Sequence, residues 1–208
     1  GAGDEVPASL AQLGYEVVEI KAEEIEAGFL KNFDAVITGI RAYNIHEALA
    51  LKQPILLEYI RNGGNMIVQY NISQQLKVKD NMALYVLQLS NDRVTDENAE
   101  VRFLDPHQAL LNYPNKISKA DFEGWVQERG LYFPKTWAPE FAPVLSMNDK
   151  GESAKDGSLL VAKYGKGTYI YTGLSFFREL PAGVPGAYKL FVNMVHAGES
   201  PKETRVKN

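Results

Sequence analysis

Two short runs, "FDAVITGI" (33–40) and "NMIVQY" (65–70), are apolar almost without interruption. A strand with one wet face alternates polar and apolar residues, and these do not. They predict strands buried on both faces, as in a parallel sheet covered by helices on each side. The flanking sequence supplies such helices. "QPILLEYIRNGG" (53–64) has apolar residues at helical spacing and ends on Gly-Gly. Val6 to Leu13 predicts a helix with Pro7 near its first turn and Gly14 as its stop. "AEEIEAGFLKN" (22–32) predicts another, with Glu23 and Glu24 early, where the helix dipole favours acids. "YEVVEI" (15–20) alternates and is rich in β-branched residues, which predicts a strand.

The first third of the chain thus reads helix–strand–helix–strand–helix–strand, an α/β pattern with right-handed crossovers. The opening "GAGDE" is a glycine-rich turn of the kind that follows a strand. A strand ahead of Asp4 would complete the series, so the first strand reads as missing. Its place in the sheet is expected to be empty or filled by something else, such as a segment of a neighbouring copy. A gap with two bare strand edges would be an association hazard, and a homodimer is one expected outcome.

From about residue 84 the rhythm changes. "LYVLQLS" (84–90) and "AEVRFLD" (99–105) predict strands. Residues 121–149 are aromatic and proline-rich, and predict short strands joined by long ordered loops. "SLLVAKYGKGTYIYTGL" (158–174) predicts a hairpin around Gly165-Lys166-Gly167. "GVPGAYKLFVNMVHAG" (183–198) predicts a final amphipathic helix on the sheet. No linker divides the chain, so residues 1–198 are expected to form one domain and 199–208 a polar tail.

Composition narrows function mainly by exclusion. With 22 basic and 26 acidic residues the net charge is −4, which gives no general electrostatic reason to bind nucleic acid or an anionic membrane. No run of apolar residues is long enough to span a bilayer. There is no cysteine, so disulfides, thiolate metal sites and cysteine nucleophiles are ruled out. His46, His107 and His196 lie far apart without the i,i+4 spacing of a helix-borne metal pair. No metal and no cofactor is expected. "GAGDE" lacks the G-x-G-x-x-G spacing and carries two acids, which repel phosphate. No G-x-S-x-G elbow supports a serine triad.

In open α/β sheets, ligands bind where loops leave the carboxyl ends of the strands. The loop after Ile40 brings Arg41, Tyr43 and Asn44, with His46 just beyond. The loop after the next strand brings Gln69, Tyr70 and Asn71. The loop after the hairpin brings Ser175, Phe176, Phe177 and Arg178. Forks, amides and rings together suit a polar, planar or sugar-like ligand. The plainer reading has Asn44 capping the next helix and Arg41 pairing a surface carboxylate. In "GWVQERGLYF", Trp125, Glu128 and Arg129 could wall the pocket. Favoured over that is a core Trp125, with Glu128 and Arg129 satisfying loop backbone.

Taken together, "GAGDEVPASLAQLGYEV", "FDAVITGIRAYN", "GGNMIVQYN", "GWVQERGLYFPKTW" and "GKGTYIYTGLSFFRELPAGVPGAYKLF" resemble the C-terminal domain attached to large bacterial LmbE-like (PIG-L type) de-N-acetylases, notably of Bacteroidetes. That resemblance covers roughly residues 2–197. It implies a class I glutamine amidotransferase-like fold, flavodoxin-like and ThuA-like, with a mostly parallel sheet flanked by helices. It implies an N-terminal deacetylase domain as partner within the parent chain, and a periplasmic or secreted parent. Two departures matter. Active amidotransferases carry a cysteine at a turn comparable to "VQYNIS" around Tyr70 and Asn71, and here there is none, so thiolate glutamine hydrolysis is unavailable. The deacetylase His-Pro-Asp-Asp type motif is absent too. The expected role is a non-catalytic accessory domain that binds a glycan or small polar ligand, docks the catalytic domain, or both. Arg41, Tyr43, Asn44, Tyr70, Asn71, Trp125, Glu128, Arg129 and Arg178 are the expected ligand contacts. The alternatives are a hydrolase with Glu128 or His46 as general base, and a purely structural assembly domain.

Overall fold

The computed structural model describes residues 4–78 and 82–199. Its strands in chain order are β1 (Ala35–Thr38), β2 (Asn65–Gln69), β3 (Leu87–Val94), β4 (Arg102–Phe103), β5 (Gly130–Trp137), β6 (Ala142–Pro143), β7 (Leu145–Ser146), β8 (Leu159–Tyr164) and β9 (Gly167–Thr172). Its α-helices are α1 (Val6–Gln12), α2 (Ala27–Leu30), α3 (Ala42–Ile45), α4 (Ala48–Arg61), α5 (Phe176–Glu179) and α6 (Pro185–Val195). Gly1–Gly3 of the opening turn and residues 200–208 of the expected tail lie outside the described residues.

The main sheet has the order β1-β2-β9-β8-β6. β2 pairs in parallel with β1 and β9, so it is central, and all five of its residues are buried. Its side chains alternate between two cores. Ile67 joins the cluster of Val6, Leu10, Leu190 and Phe191, on the α1 and α6 side. Met66 and Val68 join Leu56 and Ile60 of α4 on the other. That is why "NMIVQY" is apolar throughout. The predicted hairpin is present as β8 and β9, joined through Gly165 at φ +57° and Lys166. Its tip packs against the end of α4, where a Cβ on Gly167 would stand 1.9 Å from the Ile60 carbonyl oxygen.

Several expectations are corrected. The sheet is mixed rather than mostly parallel, because β8 pairs antiparallel with both β9 and β6. "YEVVEI" is not a strand: residues 16–20 are exposed and pair with no described strand. β1 is consequently an edge strand, and three of its four residues are only half-buried. A strand's second neighbour is what buries its backbone edge, and among the described residues β1 pairs only with β2. The α4 helix starts at Ala48, ahead of the expected Gln53, and runs through Pro54. The region expected as strands at 84–90 and 99–105 pairs instead as β3 with β5 and as the two-residue β4 with β7. β5 is anchored to the end of β9, where Leu131 N–H donates to Gly173 O at 2.9 Å. Only glycine fits there, since a Cβ on Gly130 would stand 2.3 Å from that same oxygen. This contact carries the start of β5 to the carboxyl ends of β1, β2 and β9. Among the described residues no helix is long and apolar enough to cross a membrane.

Candidate functional site

At the carboxyl end of β1, Asp4 reaches over from just ahead of α1. One carboxylate oxygen accepts from Ile40 N–H at 3.0 Å and from Gln69 Nε2 at 2.8 Å. The chain then turns at Arg41, which takes the left-handed φ of +58° and donates its N–H to Tyr70 O at 2.8 Å. That backbone state is costly for any residue with a Cβ. The Arg41 side chain is left exposed.

The next loop locks onto this one. Asn71 Oδ1 accepts from Tyr43 N–H at 2.9 Å. Asn44 accepts from Ile72 N–H and donates to Ile72 O and Gln74 O. Tyr43 is fully buried, with its hydroxyl donating to Gln53 Oε1 at 3.0 Å. Burial holds that hydroxyl far above the usual phenol range. Tyr43, Asn44 and Asn71 therefore spend their polar groups on the loops themselves.

Tyr70 sits buried over this frame, 8% exposed. Its ring stacks on Tyr132, with centroids 5.7 Å apart, and meets Phe177 at 5.3 Å. Burial raises the Tyr70 hydroxyl pKa, while the nearby Arg41 and Arg178 pull it down. Tyr132 also has a left-handed φ of +53°, and its carbonyl accepts from the Tyr171 hydroxyl at 3.4 Å. Arg178 lies 4.8 Å from the Phe177 ring centroid and donates through Nε to Glu128 Oε1 at 2.6 Å. Gln127, beside Glu128, is a third left-handed residue at +65°. Non-glycine residues in this conformation gather at binding sites when the surrounding fold enforces them.

Below this face the loop 123–129 is tied down. Glu179 is fully buried, and one oxygen accepts from Val126 N–H at 3.0 Å while the other has no partner. Burial pushes its carboxyl up to about 7, against the pull of Arg129. Arg129 is buried and donates to Ala99 O and Phe122 O. Its guanidinium also lies against the Phe122 and Trp125 rings. Trp125 is 3% exposed and donates to Asp121 O.

Of the nine expected contacts, Arg41, Tyr70, Glu128 and Arg178 come together at the strand ends. Tyr43, Asn44 and Asn71 lie directly beneath them as loop locks, and Trp125 and Arg129 sit in the core. His46 is exposed at the end of α3. Tyr132, Gln127, Glu179 and Asp4 belong to the same assembly, and the sequence reading did not single them out. Two cavities open elsewhere along the sheet, the second of them reaching Asp4 and Gln69 behind this face. One, about 420 Å³, is at the amino ends of the strands near Tyr59, Asn65 and Lys166. The other, about 670 Å³, runs between β1 and residues 15–20. Among the described residues no cluster of three or more His, Asp or Glu is placed to hold a metal.

The architecture has relatives among solved structures. A cytoplasmic protein of Salmonella typhimurium LT2 superposes with a TM-score of 0.63 at 12% identity, over 96% of this chain and 88% of its own. A ThuA-like protein from Bacteroides uniformis gives 0.53 at 12% identity, over 93% and 83%. The fold is ThuA-like. A β-galactosidase from Rahnella sp. R3 gives 0.56 at 16% identity over 89% of this chain, which spans only 25% of that enzyme. At such identities the likeness is one of fold alone. No protein-family model matches the chain, and no curated protein matches it.

Proposed function

We propose that this chain is a non-catalytic accessory domain that binds a glycan or related polar ligand at the carboxyl ends of its strands, and that it docks the catalytic domain of a larger LmbE-like de-N-acetylase. The observation that carries the ligand reading is the joint face of the half-buried Tyr132 and Phe177 rings, backed by the buried Tyr70 ring, with the Arg41 and Arg178 guanidiniums. Rings offer an apolar platform to a sugar's C–H face, and guanidiniums offer fixed forks to hydroxyls or a carboxylate. The left-handed backbone at Arg41, Gln127 and Tyr132 holds that face in one shape before a ligand arrives. The same fold occupying a quarter of a β-galactosidase chain supports a role as one part of a larger carbohydrate-processing protein.

A hydrolase with Glu128 or His46 as general base draws less from the geometry. Glu128 is engaged by Arg178, and His46 stands exposed at a helix end. A purely structural role draws on another face, the exposed Leu13, Val17, Val18 and Ile20.

A thermal-shift screen against amino sugars and neutral sugars, with Arg41→Ala and Tyr132→Ala alongside, tests the ligand reading. A ligand at about 100 times its dissociation constant adds about 2.7 kcal/mol, several degrees for a chain of this size. The expected result is a shift with a sugar, lost in both variants. A native protein that no sugar shifts would overturn the glycan reading.

A further inference from the structure

The polar groups left at the strand ends are mostly donors. Asparagine amides can both give to and accept from a sugar hydroxyl, but those of Asn44 and Asn71 are turned inward and spent on loop backbone. Two guanidiniums remain. The Arg41 side chain is exposed and forms no ion pair among the described residues. Arg178 gives Nε to Glu128 Oε1 and rests 4.8 Å from the Phe177 ring centroid. Its terminal pair, Nη1 and Nη2, has no partner among the described residues. That pair is a fork whose geometry matches the two oxygens of a carboxylate.

The two arginines meet at one ring. Arg41 N–H is bonded to Tyr70 O at 2.8 Å, and Phe177, beside the Arg178 guanidinium, lies 5.3 Å from the Tyr70 ring. Burial raises the Tyr70 hydroxyl pKa, and both guanidiniums are near enough to pull against it. The charged acceptor beside them is Glu128, and Arg178 already engages it. The Asp4 carboxylate, at the foot of the Arg41 loop, is committed to Ile40 N–H and Gln69. One positive charge at this face is thus left unmatched. Next to it, the half-buried Tyr132 and Phe177 rings offer a platform for the C–H face of a pyranose.

We infer, resting on the reading of this face as a glycan site, that the glycan is acidic: a pyranose whose ring lies on Tyr132 and Phe177 and whose carboxylate is received by the Arg178 fork and the Arg41 guanidinium. An amino sugar would bring its ammonium against two guanidiniums, a like-charge contact that costs affinity. A neutral sugar would offer the guanidiniums only hydroxyls, without the charge on both partners that makes an arginine–carboxylate pair strong. A phosphorylated sugar would bring close to two negative charges to a face with one to match, beside the Glu128 carboxylate.

Matched methyl glycosides test this on the native protein. Methyl glucuronide and methyl glucoside differ only in the carboxylate, and the galacturonide and galactoside pair repeats the comparison with one hydroxyl inverted. By calorimetry at low salt, the uronide of at least one pair should bind about tenfold tighter than its neutral partner. That advantage should shrink severalfold between about 20 and about 300 mM salt. It should vanish with the methyl ester of the uronide, and the ratio should fall to about one in Arg41→Gln and in Arg178→Gln. The ester leaves the protein unaltered, so it decides the question even where a variant fails to fold. A glucoside or glucosamine that binds as tightly as the uronides overturns the inference and leaves the glycan reading standing. So does glucose 6-phosphate binding tighter than either uronide, or a uronide advantage that survives esterification. If no sugar of the set binds, the glycan reading itself falls and the acidic sugar with it.

Discussion

Arg178 and Glu128 form an ion pair beside the ring cluster, with Nε 2.6 Å from Oε1 and the guanidinium 4.8 Å from the Phe177 centroid. The Arg178 side chain is 37% exposed, so solvent screens most of the attraction. Such a pair contributes little to stability, and its value is geometric: it fixes where the guanidinium points. Glu128→Gln should lower the unfolding free energy by less than about 1 kcal/mol in a urea titration. The same variant should weaken sugar binding about tenfold by calorimetry, which is about 1.4 kcal/mol, because Arg178 is no longer held over Phe177. Equal binding by the variant would mean that the pair plays no part in the ligand face.

Arg41 allows stability to be separated from the proposed ligand binding. Its φ of +58° costs a residue with a Cβ roughly 1 kcal/mol, and glycine pays none of it. Its N–H bond to Tyr70 O survives any substitution except proline. Arg41→Gly should therefore leave stability unchanged or raise it by up to about 1 kcal/mol, offset in part by glycine's greater unfolded entropy. Ligand binding should fall at the same time. A destabilised Arg41→Gly protein would show that the side chain itself holds the loop.

The Trp125–Arg129 pair is a structural test. Trp125→Ala opens a cavity among Phe122 and Phe176, and should cost about 3–5 kcal/mol. Arg129→Lys keeps the charge but not the fork that satisfies the Ala99 and Phe122 carbonyls. It should cost about 2 kcal/mol. Neither change should alter sugar affinity per folded molecule, which separates them from Arg41→Ala in the same assay.

How much of this was legible in the sequence follows from what each residue depends on. β2 was legible because its two apolar faces are a local pattern, and the hairpin because Gly165 and Gly167 mark its tip. The strand expected at 15–20 has the right alternation, but a strand exists only with a partner, and alternation does not carry the partner. Tyr43, Asn44 and Asn71 look like ligand residues because polar loop residues of one type serve either a ligand or the loop. Which way the side chain turns is decided by the pairing of the 41–44 and 71–74 loops. That Tyr132 would stand beside Tyr70 was not legible, because its place depends on Gly130 meeting Gly173, two glycines far apart in the chain. The loops at the strand ends do bring Arg41, Tyr70 and Arg178 near one another, as their places after the strands led one to expect.

Glu179 gives the protein a pH dependence of definite sign. Burial raises its carboxyl from the ordinary value of about 4.5 to about 7, so the folded state holds the proton more tightly than the unfolded chain. Its contribution is then fully present below about pH 4.5 and is lost as pH rises toward about 7. Above that the loss is complete, and the folded protein carries a buried charge with one unpartnered oxygen. Glu179→Gln is neutral at every pH, and its amide oxygen can still accept from Val126 N–H. The variant should match the native protein near pH 4.5 and exceed it at pH 8 by on the order of 1–3 kcal/mol. Urea titrations of both proteins across that range measure the difference directly. A gap that stays constant with pH would show that Glu179 does not titrate between the two states, and that its second oxygen finds a partner in solution.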